Sequence, residues 1–247
     1  MSRFLALTCE ALARSIYQLS AATNHTVSVR LFGQGLHNRP KGLRQILQEE
    51  IDNVPEDEFD AILLVYGMCG TSTVGLTARG TQLVMTRAHD CITLYLGSRQ
   101  RYQEEFERHP GTYWYSVDYI ERADKGASVA LGAAGIEATE AQYEEYIEKY
   151  GKETADYLIE EMRKWTAHYT RAAFIDTGLG NTAEYEQMAI DKAERDGWIF
   201  ERISGNRRLL EILVNGDWSD DEFLIVPPGH TIRQDVGEKL IKSVPAE

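Results

Sequence analysis

The sequence contains little cysteine or proline and has no long apolar run. Only 3 cysteines and 6 prolines occur among its 247 residues. A small, odd number of widely spaced cysteines disfavours a disulfide framework and favours a reducing compartment, so we expect a cytoplasmic protein. A membrane-spanning helix needs roughly 20 consecutive apolar residues. The sequence offers no such stretch, and we therefore expect no membrane association.

Basic residues are also in short supply. The chain has 26 Lys and Arg against 39 Asp and Glu, which gives a net charge of −13. An acidic surface repels the phosphate backbone, so nucleic-acid binding is disfavoured. Much of the negative charge lies between Glu137 and Glu161, and such a run is typical of a solvated helix surface.

Short apolar runs alternate with amphipathic segments along most of the chain. The predicted strands are Phe4–Thr8, Thr26–Phe32, Ala61–Tyr66, Gln82–Thr86, Thr112–Val117, Ala172–Asp176, Trp198–Ile203 and Phe223–Val226. The predicted helices include Glu10–Ser20, Leu43–Ile51, Cys91–Phe106, Thr182–Asp196 and Asn206–Val214. Strands separated by helices of this length indicate parallel pairing. We expect an α/β fold in three layers, with a mostly parallel sheet and two Rossmann-like portions.

The pattern changes in the middle of the chain. Residues 120–135 are small and polar and indicate a connection, and a longer helical pattern follows, in which Tyr143, Tyr146, Tyr150 and Tyr157 recur at helical spacing. We therefore expect an N-terminal α/β portion (1–118), a helical insertion (119–171) and a C-terminal α/β portion (172–247), or one continuous domain. The sequence does not indicate an oligomeric state.

Each cysteine lies just after an apolar run. Cys9, Cys69 and Cys91 follow three predicted strands, and parallel strands end at the same edge of a sheet, where α/β folds bind ligands. Thiolates bind zinc and the iron of iron–sulfur clusters. His37 and His89 also follow predicted strands and are the candidate fourth ligands. Two metal sites remain open: zinc on three cysteines and a histidine, or a 4Fe-4S cluster with one iron available to substrate.

The surroundings of two cysteines are expected to favour the thiolate. Cys69 precedes the glycine of a loop whose backbone amides could contact the sulfur. Cys91 begins a predicted helix, whose dipole lowers a thiol pKa. Arg87 and His89 are predicted to supply further donors beside Cys91.

A second candidate site follows the strand that ends at Asp176. In Asp176-Thr-Gly-Leu-Gly, Gly178 and Gly180 would let backbone amides approach an anion, which indicates a phosphate- or sugar-binding turn. A simple turn is the alternative. The segment lacks the Gly-Lys-Ser/Thr of a Walker loop.

Several segments together resemble a known family. The segments similar to those of the uncharacterised family catalogued as domain of unknown function 1638 are Leu36–Pro40, Tyr66–Gly70, Arg87–Cys91, Leu96–Ser98 and Phe174–Gly178. The resemblance runs from Cys9 to Gly229. It implies a shared fold and site, and genes of the family often lie near those of corrinoid-dependent methyltransferases in anaerobes.

We therefore expect a zinc-binding protein that acts on a small-molecule ligand, as a transferase or as an accessory factor in corrinoid and methyl-group metabolism. One alternative is an iron–sulfur protein with redox or dehydratase chemistry. The other is a metal-free module that binds a methyltransferase or corrinoid protein through the tyrosine-bearing helices.

Overall fold

The computed structural model describes residues 1–123, 131, 140–166, 168–237 and 239–246. The strands are β1 (Arg3–Cys9), β2 (Thr26–Phe32), β3 (Ala61–Val65), β4 (Leu83–Thr86), β5 (Thr112–Ser116), β6 (Arg171–Asp176), β7 (Ile199–Ser204), β8 (Phe223–Val226), β9 (His230–Gln234) and β10 (Ile241–Pro245). The helices are α1 (Ala13–Ala22), α2 (Pro40–Asp52), α3 (Cys91–Leu96), α4 (Arg99–Arg108), α5 (Val117–Glu121), α6 (Glu140–Tyr150), α7 (Lys152–Thr166), α8 (Ala183–Asp196) and α9 (Arg208–Asn215).

The chain forms two compact units. The first unit contains Met1–Tyr102 and Gly205–Glu247, and the second unit contains Gln103–Ser204. The C-terminal strands and α9 therefore belong with the N-terminal part of the chain. The predicted α/β fold with a mostly parallel sheet is confirmed.

The first unit is built on a five-stranded sheet in the order β2-β1-β3-β4-β8. Strands β1 to β4 pair in parallel. Strands β3 and β4 are buried throughout, which explains their continuous apolar sequence. β2 lies at one edge of the sheet and alternates between exposed and partly buried residues, as its sequence predicts. β9 and β10 form a separate antiparallel pair.

Helices cover the first-unit sheet by burying one apolar stripe each. α2 begins with Pro40, whose fixed φ suits the first helical position, and it buries Leu43, Leu47 and Ile51 at intervals of four residues. α9 packs against β3 and β4, and α1 packs against β1 and β2.

The second unit has its own three-stranded parallel sheet in the order β5-β6-β7. Its core surrounds Tyr113, Tyr115 and Phe174, and α8 packs against β6 and β7. α6 and α7, within the predicted helical insertion, pack against each other. Of the predicted connection, residues 124–130 and 132–135 lie outside the described residues.

Two sequence predictions about individual elements need correction. The predicted helix Cys91–Phe106 is two helices, because Gly97 adopts φ 71° and ends α3. A Cβ on Gly97 would lie 2.5 Å from the carbonyl oxygen of Asn206, so only glycine fits there. The predicted strand Phe223–Val226 exists, but it pairs antiparallel with β4 instead of in parallel.

No helix in the described ranges is long and apolar enough to cross a membrane.

Candidate functional site

The three cysteines lie at the carboxyl ends of neighbouring strands in the first unit. Cys9 ends β1, Cys69 lies in the loop after β3, and Cys91 begins α3 after β4. Strand β2 lies on one side of β1, whereas β3 and then β4 lie on the other side, so the direction in which strands are added reverses after β2. Open α/β sheets bind ligands outside the carboxyl ends of strands at such a reversal. Cys9 and Cys69 follow the two strands that flank this reversal.

The loops after β3 and β4 run side by side and bring Cys69 next to Cys91. The amides of Met68 and Cys69 donate to the carbonyls of Ala88 and His89 at 2.8 and 3.0 Å. The backbone amide of Cys91 is also near enough to the Cys69 sulfur to lower the pKa of that thiol. Cys69 and Cys91 are 22 residues apart in the sequence, and they become neighbours because the backbone pairing continues beyond the ends of β3 and β4.

Gly67 makes this close pairing possible. A Cβ at this position would lie 2.7 Å from both the nitrogen and the Cα of Asp90. Backbone atoms cannot move aside as a flexible side chain can, so any larger residue would push the two loops apart.

His37 joins the cysteines from the neighbouring strand. It lies in a 3₁₀ turn, Gln34–Asn38, that follows β2, and its Nε2 is 3.2 Å from the Cys9 sulfur. Burial lowers the pKa of His37, which favours the neutral imidazole. A neutral imidazole has a nitrogen lone pair available for a metal. The ring also lies 5.9 Å from that of the buried Tyr66.

The three thiols are close enough to influence one another electrostatically. The pKa of Cys69 is raised by burial, then by the charges of Asp90 and Cys9. The pKa of Cys91 is raised by burial, then by the charges of Cys69, Asp90 and Cys9. The structure therefore places the three cysteines at neighbouring strand ends on one edge of the sheet, near enough for each thiol to feel the charge of another. Their convergence on one metal ion stays a prediction. We call Cys9, Cys69, Cys91 and His37 the thiol site.

The expected stabilisation of the thiolates is wrong in direction. The amides of Gly67 and Cys91, rather than those of the predicted loop after Cys69, lower the pKa of Cys69, but burial and the neighbouring negative charges have the larger effect. The predicted role of Arg87 is also wrong, because its side chain is directed to other partners than Cys91. Its guanidinium donates instead to the carbonyls of Asp220 and Phe223, at 2.8 and 3.0 Å.

His89 and Asp90 lie beside the thiol site in different roles. The His89 side chain is exposed, and its carbonyl rather than its ring contacts Cys69. Asp90 caps α3 by accepting hydrogen bonds from the amides of Ile92 and Thr93 at 3.0 and 3.3 Å. Burial raises the pKa of Asp90. Of the two histidines considered as a fourth ligand, the structure thus places His37 against a cysteine.

The second candidate site lies in the second unit, at the end of β6. Asp176 Oδ1 accepts from the Gly178 amide at 2.9 Å, and its Oδ2 pairs with Arg202 at 2.6 Å. Gly178 and Gly180 have φ of 71° and 79°, which glycine adopts readily. The Gly178 amide is thus bound by the carboxylate of its own turn. Phosphate or sugar binding at this turn stays a prediction.

Comparison with known proteins identifies the family of this chain. Residues 31–214 match the family described as "Protein of unknown function (DUF1638)". The chain belongs to the DUF1638 family. The matched segment includes Cys69, Cys91 and His37, whereas Cys9 lies before it. No curated protein and no solved structure matches the chain.

The donor atoms of the thiol site are of the chemical type that binds a soft metal ion, since three thiols and an imidazole are a known ligand set for zinc. In the described part of the chain, however, no group of three or more His, Cys, Asp or Glu residues is placed to hold a metal ion as it stands. Metal binding would therefore require the sulfurs to move closer together.

Sequence reasoning missed two contributors to the site. Tyr66 forms part of its buried surroundings, and burial together with the charges of Cys9 and Cys69 raises the pKa of its hydroxyl. Gly67 permits the close approach of the loops. The sequence signals for both were their position between a buried strand and Cys69 and their place in a segment that resembles the family.

Proposed function

We propose that this DUF1638 protein binds zinc through Cys9, Cys69, Cys91 and His37. The observation that carries the proposal is the meeting of three cysteines from three strand ends, with an imidazole against one of them. We further propose that the site serves a small-molecule transferase or an accessory factor in corrinoid and methyl-group metabolism. That part rests on the family resemblance.

The topology of the first unit supports a ligand site at this edge. We propose that the unit is a Rossmann-like, three-layer fold, because the parallel order β2-β1-β3-β4 is that of doubly wound α/β proteins. We also propose that the β5-β6-β7 sheet is the core of a second Rossmann-like portion.

The protein's own residues supply much of what such a site needs. Cys9 and His37 are already in contact, so two donors of different type are in position. The amides of Gly67 and Cys91 orient the Cys69 sulfur. Bound zinc would keep its ligand thiols deprotonated at neutral pH and would act as a Lewis acid toward a substrate at an open position.

The loop that carries Cys69 is where we expect the closing movement. Cys69, Gly70 and Thr71 have φ of 45°, 61° and 74° in succession. A β-branched residue such as Thr71 is strained in this region, and strain of about 1–3 kcal/mol per residue is characteristic of functional sites. A rearrangement of this loop would relieve the strain and bring Cys69 closer to Cys9.

Elemental analysis of protein purified without oxygen tests the proposal. We expect about one zinc per chain, bound with release of protons as the thiols become thiolates. Cys69→Ser and Cys91→Ser should lose most of the zinc, and His37→Ala should bind it more weakly. His89→Ala is the matched control, because its side chain is exposed, and it should keep the wild-type content. Substoichiometric metal that is unchanged in Cys69→Ser would refute the proposal.

The same preparation tests the iron–sulfur alternative. Three cysteines without His37 are the ligands of a cluster with one open iron. The contact of His37 with Cys9 favours zinc instead. A brown sample that contains iron and inorganic sulfide would support the cluster, and a colourless sample that contains zinc would exclude it.

The exposed tyrosines of the second unit favour a second candidate function. Tyr150 and Tyr157 are 58% and 60% exposed on α6 and α7, where large aromatic side chains are available to a partner. We propose a methyltransferase or corrinoid protein as that partner, on the basis of the family resemblance. Capture of such a protein by the triple Cys→Ser variant but not by Tyr157→Ala would support docking independently of the thiol site. Equal capture by both variants would exclude this surface.

A further inference from the structure

We propose that Cys69 and Cys91 form a reversible disulfide under oxidation, which removes two sulfur ligands from the thiol site. The disulfide itself is inferred from the geometry alone. Its effect on zinc rests on the proposed function.

The backbone brings these two cysteines together. The loops that carry them pair through the amides of Met68 and Cys69. The Cys69 amide donates to the carbonyl of His89, two residues before Cys91, and the Cys91 amide is near enough to lower the pKa of the Cys69 thiol. Gly67 keeps the loops in contact, because it leaves no Cβ between them. A disulfide needs Cα atoms about 4.4–6.8 Å apart, a separation that this close pairing brings within reach.

The third cysteine has different surroundings. Cys9 is 2% exposed and its sulfur contacts the His37 ring. Cys69 and Cys91 are less buried as residues than Cys9, although burial raises the pKa of both thiols, so a small oxidant reaches them more readily than it reaches Cys9. Accessibility therefore favours the Cys69–Cys91 pair over any disulfide that involves Cys9.

A low-molecular-weight disulfide such as oxidised glutathione is a sufficient oxidant. One cysteine thiolate attacks a glutathione sulfur, which forms a mixed disulfide and releases one glutathione thiolate. The second cysteine thiolate then attacks the protein sulfur of the mixed disulfide and releases the second glutathione. The two protein thiols are oxidised, the glutathione disulfide is reduced to two thiols, and the two protons pass to the released glutathione. A transient disulfide of this kind is characteristic of redox-sensing proteins in reducing compartments.

Peptide mapping of the full-length, metal-free protein tests the disulfide directly. Cleavage after Lys and Arg puts the cysteines in three different peptides: Phe4–Arg14, Gln45–Arg79 and Ala88–Arg99. After treatment with oxidised glutathione, we expect the second and third peptides to be joined, with a mass two hydrogens below their sum. Dithiothreitol should separate them again.

Two variants sharpen the assignment. Cys9→Ser should still give the joined peptides, whereas Cys91→Ser should leave glutathione attached to Cys69. The proposal is overturned if wild-type protein gives two glutathione-bearing peptides without a link, or if the main link contains Phe4–Arg14. Since wild-type protein carries the decisive measurement, the result does not depend on the folding of a variant.

A parallel zinc measurement separates this inference from the proposed function. Zinc-loaded protein should release its metal to a coloured chelator as the joined peptides accumulate. Zinc binding without a disulfide would overturn this inference alone. Disulfide formation in a protein that never binds zinc would refute the proposed function and leave the Cys69–Cys91 disulfide established.

Discussion

Arg87 illustrates how strongly one buried side chain can connect distant parts of the first unit. It is 3% exposed, and its guanidinium donates to the carbonyls of Asp220, Phe223, Lys239 and Ile241. It also pairs with the exposed Asp220 carboxylate at 2.9 Å. Most of its contribution should come from the buried backbone acceptors, because solvent weakens the ion pair with an exposed carboxylate.

We therefore expect Arg87→Met to lower the free energy of unfolding by about 3–5 kcal/mol, the usual cost of leaving buried partners of a charged group unsatisfied. Urea denaturation would measure the change. Arg208→Met is the matched control, since Arg208 pairs with Glu222 near the surface and its loss should cost less than about 1 kcal/mol. A loss no larger for Arg87→Met than for the control would contradict this account.

Asp176 provides a prediction about pH. Its pKa lies below the ordinary value of 3.8, first because of the hydrogen bond from Arg202 and then because of the Gly178 amide. A lowered pKa means that the folded state favours the carboxylate. The resulting stabilisation is present above the unfolded-state pKa and is lost as the pH falls through the folded-state value. Solvent exposure at Arg202 limits it to less than about 1 kcal/mol.

Arg202→Ala should accordingly raise the pKa of Asp176 toward 3.8. A carboxyl NMR titration would detect the shift, and Arg195→Ala, which removes one of two cationic partners of Asp196, should leave Asp176 unaffected. An Asp176 titration that is the same in Arg202→Ala and wild type would show that the pair does not form in solution.

The loops after β3 and β4 depend on one glycine for their pairing. Gly67→Ala would place a methyl group 2.7 Å from the Asp90 backbone, and overpacking of this kind costs about 1–3 kcal/mol. We also expect weaker zinc binding and less of the Cys69–Cys91 disulfide, because the loops must separate. Gly42→Ala is the control. It adds the same methyl group within α2 with a nearest contact of 3.7 Å, so it should be neutral or stabilising by up to about 1 kcal/mol.

Equal stabilities for these two alanine variants would show that the loops can yield at Gly67. Thermal unfolding and zinc titration on the same samples would separate a loss of stability from a loss of ligand geometry.

Elements with a strong local signal could be predicted from the sequence. β2 alternates, β3 is apolar throughout, and α2 has apolar residues at helical spacing after a proline, so each was predicted within a few residues. The antiparallel pairing of β8 and the separate β5-β6-β7 sheet were not predicted, because pairing direction depends on partners far away in the chain. The end of α3 at Gly97 did have a local signal, because a glycine often ends a helix. The helical spacing of apolar residues on both sides nevertheless led to the prediction of one continuous helix.

The candidate site could be predicted only in part, for the same reason. The placement of the three cysteines at one edge of the sheet followed from parallel strands that end there. The choice between His37 and His89 did not, because both follow strands and only the turn geometry decides which ring points inward. Arg87 was assigned to the wrong surroundings, since its sequence proximity to Cys91 says nothing about the direction of its side chain.

The division into two units predicts that the thiol site belongs to the first unit alone. All four of its residues and the strands that position them lie in Met1–Tyr102, while β8, α9 and the acceptors of Arg87 lie in Gly205–Glu247. The two segments meet within this unit, where the Asn206 amide donates to the Tyr95 carbonyl at 2.8 Å. Residues 103–204 should therefore be dispensable for the fold of the site.

We expect a variant with residues 103–204 replaced by a Gly/Ser linker of about eight residues to fold and to bind zinc with the full-length stoichiometry. The linker must reach from Tyr102, about 5 Å along α4 from Arg99 at 1.5 Å per residue, back to Gly205, whose neighbour Asn206 lies against Gly97. A flexible chain of about eight residues has a mean span of roughly 16 Å, which is sufficient. Met1–Tyr102 alone is the control, and it should fail to fold cooperatively because Arg87 and β4 lose their partners. Circular dichroism and elemental analysis would decide: a folded linker variant without zinc, beside a full-length protein that binds it, would mean that the second unit contributes to the site.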